Sequence, residues 1–345
     1  MKILHVIFSL STGGAETMLV DLANEQVAAG NEVSLLIVND DVEPYLVGKL
    51  SPEVKVTYFR RRPGANPLPL LFRLNRFLMK ERPDAVHAHS VKLPALMRVM
   101  RRRVVYTVHA LGIPMHYVKG IRKAAISEAV RADVVTREPG ASVVTIENGI
   151  VADKIGRRGA LQLSSPVKIV QVGRLDSELK GQDILIDALR ILRRRGVDAT
   201  VTFIGDGADM EALREHARSV GMGDKVVFEG LRTREQIYSH LKDFDIMCHP
   251  SRFEGFGLTV AEGLVAGLPL VVPEKGGPWE VAGEGRFCAS FESGSSGACA
   301  DALEEVINNY PAALAKAALG RDYVLERFTI RRMAREYLDL YRTLG

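Results

Sequence analysis

Short apolar runs of strand character alternate with longer segments of helical periodicity along almost the whole chain, and the alternation restarts midway. That pattern leaves few architectures open, because strands separated by helices must run parallel and be covered on both faces. In the first half it predicts strands at 3–9, 32–38, 84–88, 104–108 and 143–147. Helical spacing of Ala15, Met18, Leu19, Leu22, Ala23 and Val27, ended by Gly30, and a second helix over 70–80 fall between them. Residues 151–166 are poor in large apolar side chains and carry Gly156, Arg157, Arg158, Gly159, Ser164, Ser165 and Pro166, the composition of a connecting stretch. The pattern then resumes, with strands at 168–172, 200–204, 226–229, 246–249 and 270–272 and helices over 182–195, 209–220, 234–241 and 259–266.

A chain of 345 residues exceeds the usual single-domain size. The expected division is a first α/β domain over 1–155, a linker over 156–166, a second α/β domain over 167–325, and a C-terminal helix over 326–345 packing back towards the first domain. In such folds ligands sit beyond the carboxyl ends of the strands. The C-terminal segment is amphipathic, with Met333, Tyr337, Leu340, Tyr341 and Leu344 on one side.

The net charge of +4 is unevenly divided. Residues 1–160 hold 23 Lys/Arg against 15 Asp/Glu, and the remainder 23 against 27. Clusters at Arg60–Arg62 and Arg101–Arg103 suit an anionic partner such as a membrane surface or a charged acceptor. Nucleic acid is not expected, since no aromatic-interleaved basic motif or finger spacing occurs. Cys248, Cys288 and Cys299 form no CxxC pair, which indicates neither a disulfide framework nor a zinc site and fits a reducing cytoplasm. The apolar start, interrupted by His5, reads as a buried first strand rather than a signal peptide. No run of 18 apolar residues is present, so no membrane-spanning helix is expected.

The richest stretch is SRFEGFGLTVAEGLVAGLPLVV at 251–272, where Glu254 lies in a loop of small residues and Glu262 inside the helix that follows. Glycines let a backbone approach a ligand, and the first helical turn points its N–H groups at negative charge. Thr259-x-x-Glu262 equally reads as a capping box. Arg174, after Gly173 at a strand end, and Lys180 offer a fork and a point charge for phosphate oxygens. Gly13 and Gly14 sit between a strand and a helix but make no dinucleotide fingerprint. His109 follows a strand; His87-x-His89 lacks the carboxylates of a metal centre. Asp243-x-Asp245 matches a metal-binding pattern of sugar transferases, yet it falls at a helix-to-strand junction and reads as structural.

Together these segments resemble the family-four retaining glycosyltransferases of the GT-B fold class. The resemblance runs through GGAE at 13–16, DAVHAHS at 84–90, TVHA at 107–110, ISEAV at 126–130, ENGI at 147–150, VGRLDSELKG at 172–181, FIGDG at 203–207, FEG at 228–230, HPSRFEGFGLTVAEGLVAGLPLVV at 249–272 and GG-x-x-E at 276–280. It implies two Rossmann-like domains whose parallel sheets face across a cleft. It further implies transfer of a hexosyl-type sugar from a nucleotide diphosphate sugar, by default a UDP-sugar and otherwise a GDP-sugar, to a saccharide or lipid-linked acceptor. Cell-surface polysaccharide or lipopolysaccharide synthesis at the inner face of the plasma membrane is the implied setting, with no metal or other cofactor required.

By the same resemblance, Gly13, Gly14 and Gly173 approach the diphosphate and sugar, and Arg174 and Lys180 neutralise the leaving group. Glu254 binds the sugar's hydroxyls, and the N–H groups of Phe256, Gly257 and Leu258 meet sugar and phosphates. Glu262 holds the ribose, Glu229, Gly230 and Leu231 border the base, and His109 lies near the sugar's C6 side. The sequence departs from many relatives in having only seventeen residues between His109 and Ser127, among them Lys119, Arg122 and Lys123, where the acceptor side is built. Two other readings, a nucleotide-sugar epimerase of the same fold and a non-catalytic nucleotide-sugar-binding partner subunit, fit less well, since no expected site residue is missing.

Overall fold

The computed structural model describes residues 1–344 and divides into two compact units. One comprises Met1–Gly149 together with the segment from Ile330 onward; the other comprises Ile150–Thr329.

The first unit is built on a seven-stranded sheet of β1 (Lys2–Ile7), β2 (Glu32–Asn39), β3 (Lys55–Arg61), β4 (Ala85–Ala88), β5 (Val104–Val108), β6 (Arg122–Ala125) and β7 (Val143–Thr145). All pairings are parallel and the order is β3-β2-β1-β4-β5-β6-β7. The run of buried residues from Val33 to Val38, broken only by half-buried Ser34, shows why β2 reads as continuous rather than alternating: both of its faces are buried. The C-terminal helix Ile330–Arg342 belongs to this unit. It packs on the helix Gly14–Ala28, buries Met333, Tyr337, Leu340 and Tyr341, and is tied down by Arg332 to Glu147 at 3.0 Å.

The second unit carries β8 (Val167–Val172), β9 (Ala199–Ile204), β10 (Val226–Gly230), β11 (Ile246–Cys248), β12 (Leu270–Pro273) and β13 (Ala289–Phe291) in the parallel order β10-β9-β8-β11-β12-β13. The helix Gln182–Arg194 shows how covering works. Ile184, Leu185, Ala188, Leu189 and Leu192 repeat at helical spacing and are all but fully buried, each large side chain contributing about 1.5–3 kcal/mol. Helices Ser296–Asn308 and Tyr310–Arg327 complete the layer.

Residues 156–166, read in sequence as the linker, are folded into the second unit. Gly156 N–H donates to the Tyr238 carbonyl and Arg158 N–H to that of Ala266. The Arg158 guanidinium reaches Asp245, Phe244 and Gln162. The polar composition of this stretch therefore reflects hydrogen bonding against a surface, and the chain changes units at Gly149–Ile150 instead. Lys123, one of the three cations noted between His109 and Ser127, lies in β6, fully buried and ion-paired with Glu138 at 3.0 Å.

Candidate functional site

In each unit the strand order reverses beside its first strand, between β1 and β4 and between β8 and β11. Loops leaving the carboxyl ends of such neighbours diverge to opposite faces and open a crevice for ligands. The predicted site residues of the second unit gather at the β8/β11 reversal. Gly173 and Arg174 leave β8, and His249 to Glu254 leave β11. Gly181 shows how closely the two loops meet: its φ is +65° and a Cβ there would stand 2.2 Å from the Pro250 carbonyl oxygen. No side chain larger than hydrogen fits.

Both loops are held rigidly. Asp209 accepts from the N–H and hydroxyl of Ser177 at 2.7 and 2.6 Å. Arg252 grips both carboxylate oxygens of Asp183, at 2.8 and 2.6 Å, and donates to the Ser177 carbonyl. This bracing presents Arg174 and Lys180. The Arg174 guanidinium is exposed and has no hydrogen-bond or ion-pair partner among the described residues. The Lys180 ammonium donates to Glu254, with both side chains about four-fifths buried. Burial works to raise the Glu254 pKa, but Lys180 and then His249 outweigh it, and the net shift is downward. Glu254 is therefore an anion at neutral pH. Burial pushes His249 down to about 4, so it is a neutral ring, bonded to Ser251 at 3.1 Å.

Behind Glu254 the helix Leu258–Val265 begins at Gly257, whose φ of +96° turns the chain, and no side chain caps it. An uncapped N-terminus leaves N–H groups for an anion. The capping-box reading is thereby corrected. Thr259 lies inside the helix, near His249, and buried Glu262 accepts from the Tyr238 hydroxyl at 2.8 Å. Tyr238 in turn accepts from Arg234 at 2.7 Å, a support no local sequence pattern signals. Phe256 is buried, while Gly230 (φ +73°) and exposed Leu231 close β10. Asp245 is fully buried and holds Arg158, Ser164 and the Lys168 N–H, and Asp243 contacts His240, so the D-x-D pair is structural.

In the first unit Gly13 caps the helix Gly14–Ala28 without a side-chain bond, and the Glu16 carboxylate folds over it. His109 follows β5 and is half-buried; its Nε2 lies 3.4 Å from His89 Nδ1. Sequence reasoning missed His5. It stands on β1 in register with His87, and its Nδ1 is 3.0 Å from His89 Nε2. Nitrogens of His5, His87 and His89 come within 4.8 Å of one another. Each of the three rings already has both nitrogens in hydrogen bonds, and no carboxylate or thiolate joins them. That donor set suits a hydrogen-bonded core better than a metal centre. Cys248 and Cys299, 51 residues apart, bring their sulfurs to 3.8 Å in the core as free thiols.

Two Rossmann-like units, the second presenting Arg174 and Lys180 at a strand-order reversal, define a doubly wound α/β protein. Its family follows from comparison with known proteins. The family model described as Glycosyltransferase Family 4 matches residues 12–154, and that described as Glycosyl transferases group 1 matches residues 157–320. The chain belongs to the family-four glycosyltransferases, and its architecture is GT-B. It is 29% identical over 170 residues to a GDP-mannose-dependent alpha-(1-6)-phosphatidylinositol monomannoside mannosyltransferase of Mycobacterium tuberculosis, an alignment covering 47% of this chain and 44% of that protein. The match thus spans less than half of that relative. A phosphatidyl-myo-inositol mannosyltransferase of Mycobacterium leprae is 25% identical, with 96% of this chain and 94% of that protein aligned. Among solved structures, Anabaena HepE in complex with UDP and glucose superposes over 100% of both chains, with a TM-score of 0.84 and 21% identity.

Proposed function

We propose that the protein transfers a hexosyl-type sugar from a nucleotide diphosphate sugar to a saccharide or lipid-linked acceptor, with retention of anomeric configuration and without a metal. The observation that carries this reading is the unpartnered Arg174 beside the Lys180–Glu254 pair and the uncapped helix at Gly257. Arg174 supplies a fork for the diphosphate. Lys180 spends one of its three donors on Glu254 and keeps two for phosphate oxygens. The N–H groups of Phe256, Gly257 and Leu258 serve sugar and phosphates, with Gly173 allowing close backbone approach. Anionic Glu254 accepts from sugar hydroxyls, Glu262 from ribose hydroxyls, and Gly230 and Leu231 border the base.

In the reaction the bond from the anomeric carbon to the diphosphate oxygen breaks and the acceptor oxygen bonds on the same face. The acceptor's proton passes to the departing phosphate. The mannosyltransferase relatives make a GDP-sugar the first donor to test and a UDP-sugar, the sequence-based default, the second. A thermal-shift panel of UDP, GDP and ADP, with magnesium or with chelator, tests the reading. The cognate nucleotide at ~100 times its Kd stabilises by about 2.7 kcal/mol in either condition. A shift that disappears with chelator removes the metal-independent mechanism; no shift with any nucleotide removes the transferase.

The acceptor side is assigned to an anionic membrane face. On the helix Pro67–Glu81, Leu68, Phe72 and Met79 are exposed among exposed Arg73, Arg76 and Lys80. Apolar side chains framed by cations suit a phospholipid surface, each cation worth ~1 kcal/mol there. No helix among the described residues is long and apolar enough to cross a membrane. Sedimentation with vesicles rich in anionic lipid is expected at low salt and is lost at ~1 M salt, where screening acts over about 3 Å. Salt-independent binding, or none, would count against this assignment.

A further inference from the structure

We infer that Gln26 sets which nitrogen of His109 carries the proton, acting through two buried imidazoles, His5 and His89. The inference rests on the transferase reading above, together with the family resemblance that implies His109 near the C6 side of the donor sugar. A neutral imidazole has one N–H and one lone pair, so a chain of such rings transmits direction. The Gln26 amide oxygen lies 2.8 Å from His5 Nε2, which places the His5 proton there and leaves Nδ1 as an acceptor. His5 Nδ1 then takes the bond from His89 Nε2 at 3.0 Å, and His89 Nδ1 takes the bond from His109 Nε2 at 3.4 Å. His109 is left with a bare Nδ1, which has no hydrogen-bond partner among the described residues.

The rings are neutral. Burial pushes His5 and His109 down to about 4 and takes His87 and His89 well below the usual histidine range. A second branch orients the amide. Gln26 Nε2 donates to the Tyr341 hydroxyl at 3.4 Å, and that hydroxyl donates to His87 Nδ1 at 2.6 Å. His87 Nε2 donates to Thr107 at 2.6 Å, and Thr107 to Tyr337 at 2.7 Å. Turning the Gln26 amide over would reverse every bond of both branches, so the placement of one oxygen decides the polarity of the whole network. Gln26, His5 and His89 are positioning residues. The consequence is a substrate preference: a bare His109 Nδ1 accepts from a hydroxyl and repels a carboxylate, which favours hexosyl over hexuronosyl donors.

Long-range nitrogen–proton NMR of the full-length protein labelled in histidine, assigned with His5→Phe and His109→Phe, reads the tautomers directly. The expected spectrum shows His5, His89 and His109 protonated on Nε2, unchanged in Gln26→Glu, whose carboxylate still accepts. In Gln26→Leu, His109 becomes a mixture of tautomers. A native His109 protonated on Nδ1 would overturn the inference, as would an unchanged His109 in Gln26→Leu; if that variant does not fold, the native and Gln26→Glu spectra decide. These spectra need no donor, so failure of the transferase reading leaves them independent. In turnover, Gln26→Leu raises KM for the hexosyl donor by roughly 10-fold, the scale of one lost hydrogen bond. Equal weakening of nucleoside diphosphate binding, which does not involve His109, would reduce Gln26 to a packing residue.

Discussion

Lys180→Ala and Arg174→Ala each lower kcat by roughly 10²–10³, the loss seen when one preorganised donor to a developing oxyanion is removed. The charge they meet grows as the sugar–oxygen bond breaks, so the effect belongs in kcat and exceeds any change in nucleotide affinity. The two variants differ in side effects. Arg174 has no partner among the described residues, so its removal leaves the fold intact. Removing Lys180 takes away the ion-pair partner of the largely buried Glu254 and lowers the thermal midpoint as well. Product formation at saturating donor, with nucleotide affinity measured in parallel, separates these effects. An unchanged kcat in Arg174→Ala would sink the leaving-group assignment, because no stability loss masks it.

Asp245→Ala destabilises the second unit by about 3–5 kcal/mol, the cost of stripping one partner from a buried ion pair. Its Oδ1 accepts from Arg158 and from the Ser164 N–H and hydroxyl at 3.1 and 3.2 Å, and its Oδ2 from the Lys168 N–H at 2.7 Å. Asp245 is fully buried and the Arg158 side chain is 5% exposed, so water cannot replace what the substitution removes. The strap from Gly156 to Pro166 loses its anchor at the same time. Urea unfolding measures the change. A loss below about 1 kcal/mol, with turnover abolished in the variant and metal-dependent in the unsubstituted protein, would return Asp243-x-Asp245 to the metal-binding role that its pattern suggests.

Much of this was legible from residue order. The β8, β9 and β12 strands and the helix Gln182–Arg194 are legible within a residue or two, because those strands are buried on nearly all of both faces and the helix has a single apolar side; β10, an edge strand with Val227 exposed, is legible from its apolar Val226–Phe228 run alone. β3, β6 and β13 are not. Arg122–Ala125 and Ala289–Phe291 are short and lack a strand's periodicity, and β3 lies at a sheet edge with mostly half-exposed or exposed residues. Their strand character comes from the neighbour they pair with. Helices Ser296–Asn308 and Tyr310–Arg327 were likewise missed, their alanine-rich turns giving a weak apolar stripe.

The candidate site divides in the same way. Loop glycines, Arg174, Lys180, Glu254 and Glu262 stand in one motif-bearing order along the chain, and that order, with the alternation of strands and helices, determined the family and the two-domain α/β architecture. Tertiary structure alone decided the partnerships: Lys180 with Glu254 across 74 residues, Tyr238 with Glu262 across 24, Arg158 with Asp245 across 87, and His5 with His89 across 84. Periodicity reports which face of an element is buried and so is written locally. A hydrogen bond between distant side chains exists only after the parallel strands have paired and brought those residues side by side, and nothing in the spacing of the two residues records it.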